Sequence, residues 1–202
     1  MLFRSDVAFR LEGGAADFAT AMQAEMLKSI TGPSLDPKQT TGAVQMDIKL
    51  NFVQKPDLKP QEINVSAEGL FQNLHIDHAF GREPLDNGTV RLKVNGQGLV
   101  INGEGLLGSA ASQFELRQAK DSAVQDATVS MIIDDVVRDK KQMRTQNLLN
   151  GPVTLTLKLS GIGSQKVKGT GDLDLQKASV NGLIPGWTRP VGKPGKATFT
   201  FS

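Results

Sequence analysis

The sequence has no cysteine, which excludes disulfides, thiolate nucleophiles, CxxC redox pairs and cysteine-ligated zinc while leaving the redox compartment open. It has only two histidines, so a Ser-His-Asp site would have to use one of them, and it holds no Gly-x-Ser-x-Gly elbow. Neither sign of charge dominates. Lys and Arg number 23 against 21 Asp and Glu, and a net charge of +2 is too small to mark a phosphate-binding surface, so no nucleic acid is expected as a partner. No apolar run approaches the ~20 residues of a bilayer span, and the first six residues lack the basic head and apolar stretch of a signal peptide. Aromatic residues are scarce, 9 Phe and 1 Trp with no Tyr, whereas glycine reaches 21, a balance that favours many short strands and turns.

What is present suffices for a folded domain. The 202 residues, 39% hydrophobic and 22% charged, make one ordinary domain or two small ones with a sizeable core. Residues 6–12 alternate as a strand closed by Gly13 and Gly14. From Ala15 to about Ile30, Phe18, Met22, Met26 and Leu27 form a helical stripe that Gly32 and Pro33 end. The clearest strand opens at Gly42, with Val44, Met46, Ile48, Leu50 and Phe52 on one side and Gln45, Asp47, Lys49 and Asn51 on the other. Further strands are expected over 63–76 with an irregularity at Gly69-Leu70, then over 88–94 and 99–105 as a hairpin, 110–118 and 126–133. A charged helical stretch follows, and the final block returns to strands.

The two halves resemble each other. Residues 42–50 align without gaps on 151–159, an offset of 109, so that Val153, Leu155, Leu157 and Leu159 repeat the apolar side of the first strand. Each copy follows a polar or helical entry segment. The organisation expected is an entry segment over 1–34, a first β-meander unit over 35–134, and a helix with a second, truncated unit over 135–202. The alternation is still running at Ala197–Ser202, from which an excised piece of a longer chain is expected.

Candidate chemistry is thin. Gly103, Gly105 and Gly108 satisfy GxGxxG after a strand, but residues 109–116 alternate as another strand, so no helix N-terminus is offered to a pyrophosphate and hairpin glycines are the better account. Residues 161–166 hold P-loop ingredients in the wrong order. His75, Asp77 and His78 form the one histidine cluster, yet on a strand His78 points away from the other two and no third ligand is near, which favours a solvated face over zinc or general-base chemistry. Arg138–Arg144 reads as a solvated helix face, with anionic headgroups the sharper alternative. The Asn64 and Asn87 sequons matter only in a eukaryotic secretory setting. No catalytic residue, cofactor or metal site is expected, and the chain is read as a non-enzyme.

About nine strands against two helices leave too little helix to cover one sheet. Either the sheet packs on itself, or its apolar face is an open trough lined but unfilled. The fold expected is mainly β with two short helices, repeated β-meanders forming an elongated, twisted, partly open sheet, a β-groove. Val44 to Phe52 and Val153 to Leu159 should line its apolar side, and Trp187, between Pro185-Gly186 and Pro190, should anchor its loop against the sheet.

The C-terminal passage Gly151-Pro152-Val153, Asp172 to Val180 with its Asp174-Leu175-x-x-Ala178 strand end, and Pro185-Gly186-Trp187-Thr188-Arg189-Pro190-Val191-Gly192-Lys193-Pro194 resembles the bacterial AsmA-like family, the large YhdP/TamB-type periplasmic proteins. Arg189 stands where that family's loop usually has Lys. Leu35-Asp36-Pro37 through Gly42 resembles the family's entry to an amphipathic strand, and Pro84-Leu85 with Gly88 its inter-strand turn, so the likeness covers most of 35–202. The resemblance implies a periplasmic protein anchored to the inner membrane in its full-length form. It implies a role in phospholipid transport between inner and outer membranes and in envelope integrity, with a curved β-groove carrying acyl chains, no enzyme activity, and neighbouring repeats of the full-length chain as partners. The alternative is a protein-binding β-scaffold for envelope assembly whose sheet edges recruit a partner strand without lipid carriage.

Overall fold

The computed structural model describes residues 3–22, 35–59, 62–145, 148–182 and 186–202. β1 (Arg4–Gly14) is followed by α1 (Ala15–Met22), and then a meander begins: β2 (Thr40–Val53), β3 (Asn64–Phe80), β4 (Glu83–Asn95), β5 (Gly98–Leu107), β6 (Ala110–Ala119) and β7 (Gln125–Ile133). After α2 (Asp135–Lys140) and the short β8 (Leu149–Asn150) come β9 (Val153–Ile162), β10 (Lys168–Asp174), β11 (Ser179–Asn181), β12 (Thr188–Arg189) and β13 (Lys196–Phe201). Ten strands form one antiparallel sheet in the order β1-β2-β3-β4-β5-β6-β7-β9-β10-β13, which stays open and does not close into a barrel. A small second sheet has the order β12-β11-β8. The protein is thus mainly β with two short helices, the class that its period-two pattern and turn glycines predict.

The large sheet is continuous where the sequence suggests a boundary, because β7 pairs directly with β9 on the far side of α2. Both helices leave the sheet from the same end, since β1 and β7 occupy odd positions of an alternating antiparallel order and therefore run the same way. The N-terminal helical stripe is realised over Ala15–Met22, and its continuation to Ile30 lies outside the described residues. Ala15 and Ala19, one turn apart, are buried, and their small side chains let α1 settle close to the sheet. Phe18 then meets Phe71 of β3 edge-on, with ring centroids 5.6 Å apart.

The β3–β4 ladder is irregular, with shifts between Phe71 and Leu74, Leu74 and Ile76, and Ile76 and Phe80. Asn73 and Asn87 take left-handed conformations there (φ 49° and 52°), which asparagine tolerates better than most residues. Those bulges carry β3 on to Phe80, beyond the expected end near Ile76. A further shift between Thr41 and Ala43 depends on Gly42, whose φ is 126° and where a Cβ would press on the Asn73 carbonyl oxygen. The GxGxxG glycines are hairpin residues, Gly103 and Gly105 within β5 and Gly108 in the turn to β6.

The charged helical stretch departs from expectation. Asp134 caps α2 by accepting from the Val137 N–H at 2.8 Å, and Arg138 is buried instead of solvated. Its guanidinium donates to the carbonyls of Ile133 and Gly151, each at 2.8 Å, and to the Asp135 carboxylate. A long cation at this corner ties the end of β7 to the segment entering β9, a use that charge patterning alone does not reveal.

Candidate functional site

Directly paired residues of an antiparallel ladder point to the same face, so the register defines rows of side chains running across the sheet. One row is Leu11, Met46, Gly69, Leu92, Ile101, Leu116, Ala127, Leu159, Gly169 and Phe201. Its neighbour is Val44, Phe71, Val90, Gly103, Phe114, Val129, Leu157, Gly171 and Phe199. Neither row contains a charged or hydrogen-bonding side chain. Val44, Met46, Ile48, Leu50 and Phe52 therefore share one face with Val153, Leu155, Leu157 and Leu159, although the two strands sit six places apart in the sheet.

Burial is graded along that face. On β2, Val44, Met46 and Ile48 are only 4%, 4% and 6% exposed, whereas Leu50 and Phe52 nearer the other end are half-buried. β3 and β4 repeat the gradient, from buried Leu74, Phe71, Leu85 and Val90 to half-buried Val65, Leu92 and Val94. The helix end is filled by α1, with Ala15 and Phe18 in the same cluster as Val44 and Phe71. Near the opposite end a cleft of about 360 Å³ opens mainly on the polar face, lined by Asp6, Ala8, Lys49, Asn51, Asn64 and Ser66 with Val7, Leu50 and Val65 between them. That volume is at the small end of ligand pockets. The lateral margins are uncovered as well: Phe9 and Leu11 of β1 are each 41% exposed, and Phe199 and Phe201 of β13 are each 42% exposed.

Glycines shape the floor. A Cβ at Gly103 would fall within the ring of Phe114, and those at Gly171 and Gly169 within the rings of Phe199 and Phe201. Each ring lies flat across the bare backbone of the next strand, covering it without raising the surface.

The opposite face is charged and paired. Arg10 donates to Asp47 at 2.8 Å, and Lys93 meets Glu68 at 2.8 Å, hydrogen bonds that hold both carboxyls below the usual range. The histidine cluster lies at the irregular end of β3. His75 Nδ1 is 2.7 Å from Asp86 and its Nε2 is 2.9 Å from Asp77, while His78 is separate, with Nδ1 3.2 Å from the Gln39 amide oxygen. Asp86 was not legible as a partner, because it arrives from β4 across a bulged ladder. A ring with both nitrogens engaged by carboxylates is a structural clip, and no group of three or more His, Asp or Glu that could hold a metal ion occurs among the described residues.

The hydrogen bonds from Asp86 and then Asp77 raise the His75 pKa above its ordinary value of 6.5. A raised folded pKa stabilises the fold fully below about pH 6.5, and that contribution is lost as pH rises through the higher folded value. In urea denaturation from about pH 5 to 9, the parent's advantage over His75→Gln should therefore be largest at acid pH and should shrink on going alkaline. An advantage that grows with pH would show that the imidazolium is not the clip.

Trp187 does not anchor its loop. It is 43% exposed, and the buried contact belongs to Arg189, whose Nη1 donates to the carbonyls of Leu175 at 2.7 Å and Ala178 at 2.9 Å while Nη2 donates to that of Lys193. Gly195 lies against this guanidinium, leaving no room for a Cβ. Planarity and five donors let an arginine gather several carbonyls that an indole could only cover.

Fold and site together define an open β protein whose ten-stranded sheet carries an apolar face, filled at one end by α1 and, among the described residues, half-buried toward the other end and exposed along both margins. No family model, no curated protein and no solved structure matches the chain. None of its described helices is long and apolar enough to cross a membrane.

Proposed function

We propose that this chain is a segment of a periplasmic AsmA-like protein, anchored to the inner membrane in its full-length form, that takes part in phospholipid transport between the inner and outer membranes and in envelope integrity. Its apolar face is the surface on which acyl chains travel. One observation carries this reading: rows of uncharged, apolar side chains cross the whole ten-stranded sheet, and among the described residues Leu50, Phe52, Val65, Leu92 and Val94 of that face are left half-buried. An acyl chain there would replace water over Leu50, Val65 and Val94 and would need no hydrogen-bonding partner. The motif likeness of residues 151–197 supports the same reading and supplies the compartment.

Leu50→Asp tests it. Leu50 is half-buried on the apolar face, so a carboxylate there keeps contact with water and should cost about 1–2 kcal/mol of stability, leaving the domain folded. Parent and variant are incubated with phosphatidylethanolamine/phosphatidylglycerol vesicles, repurified, checked by circular dichroism and weighed by native mass spectrometry. The parent should retain phospholipid and the variant should not. A parent that never binds lipid, or a folded variant that keeps it, overturns the reading.

A further inference from the structure

The two outer strands of the sheet fit each other. Among the described residues neither β1 nor β13 has a second ladder partner, so each presents a row of unpaired backbone N–H and C=O groups. Sheets usually protect such edges with proline, a bulge, an inward charge or a very short strand. β1 has none of these over Arg4–Gly14, and β13 has neither proline nor bulge over Lys196–Phe201.

Complementarity holds at three levels. In an alternating antiparallel sheet of ten strands the first and last run in opposite directions, so β13 of one molecule meets β1 of another in the antiparallel sense that every existing neighbour uses. The side chains are in phase, because Val7, Phe9 and Leu11 pair with Leu50, Ile48 and Met46, and Ala197, Phe199 and Phe201 pair with Leu173, Gly171 and Gly169, all on the apolar face. The charges select a register. Setting Phe199 opposite Phe9 places Phe201 against Val7, Ala197 against Leu11, and Lys196 against Glu12. A slip of two residues one way puts Lys196 against Arg10, and the other way sets it beside Gly14 with no charge to meet.

We propose that a second copy of this chain adds head to tail, its β1 completing the edge left by β13. Because the two surfaces differ, each addition leaves another free edge of each kind, and the assembly is an open series of sheets in which the apolar face runs on from copy to copy. The exposed rings of Phe199 and Phe9 are covered in the process. The assembly makes no demand that the face hold lipid.

The absence of native cysteine makes the test direct. In the chosen register Ala8 stands opposite Thr200 on the polar side, so Ala8→Cys and Thr200→Cys are purified separately and mixed under mild oxidation without lipid. The mixture should give a disulfide-linked dimer of the two variants, whereas each variant alone stays monomeric on a non-reducing gel. Sedimentation of the parent should show mass rising with concentration, Lys196→Glu should weaken association about fivefold, and adding Glu12→Lys to it should restore association. Circular dichroism confirms that each variant is folded. A parent that stays monomeric at high concentration, like-with-like crosslinks, or a charge reversal that its partner does not rescue overturns the head-to-tail edge. A monomer that nevertheless retains phospholipid would leave the acyl-chain reading standing while this one falls.

Discussion

Replacing Ile48 with Asp is expected to unfold the domain. The residue is 6% exposed, in mid-strand, and packed within the cluster that holds Val44, Met46, Phe71 and Val90. Among the described strand residues no cation shares its face, so a carboxylate placed there must either be buried unpaired or take up a proton, and both outcomes remove roughly 4 kcal/mol or more from a total of about 5–15 kcal/mol. Loss of the cooperative urea transition, read by far-ultraviolet circular dichroism, checks this. Ala43→Asp, on the exposed face of the same strand, should change stability by less than about 1 kcal/mol. If Ile48→Asp stays folded with a parent-like midpoint, the helix end is hollow and α1 does not fill it.

The second large effect belongs to Arg189. Arg189→Leu keeps apolar bulk but strips donors from the carbonyls of Leu175, Ala178 and Lys193 at once. Of these acceptors Ala178 is buried, the Leu175 carbonyl keeps the Ala178 N–H, and Lys193 is exposed, so a loss of about 1–3 kcal/mol is expected, concentrated near β11 and the approach to β13. Hydrogen exchange should show faster opening of β11 and β13 while β3 to β6 keep their protection. Trp187→Ala should by contrast cost about 1 kcal/mol or less, since the residue is 43% exposed and holds none of these carbonyls. Equal effects at the two positions would return the anchoring role to Trp187.

This contrast shows where the sequence was legible. Strands with a wet face and a dry face announce themselves by alternation, so β2 and β9, the shared side of Val44 and Leu157, and the hairpin of β4 and β5 could be read directly. Three features could not. The extension of β3 past Ile76 rests on bulges that break the period, and the clip between His75 and Asp86 is assembled across them. Two-residue and three-residue strands such as β12 and β11 are too short to carry a pattern. The buried roles of Arg138 and Arg189 run against the usual exposure of arginine, and only the geometry of clustered backbone carbonyls explains them. Trp187 was misplaced for a related reason: size predicts burial only where a surface exists to receive it.

The rings laid across glycines bear on how this sequence can drift. At Gly103 and Phe114, and again at Gly171 with Phe199 and Gly169 with Phe201, one residue is absent so that the other can lie down. A single step at either position is penalised, by a clash if the glycine gains a side chain and by bare backbone if the ring is lost, yet the two steps together can be nearly silent. Such positions should change in concert across related sequences, and their double-mutant cycles should be strongly non-additive. Each pair is in effect one inherited character written at two sites on adjoining strands.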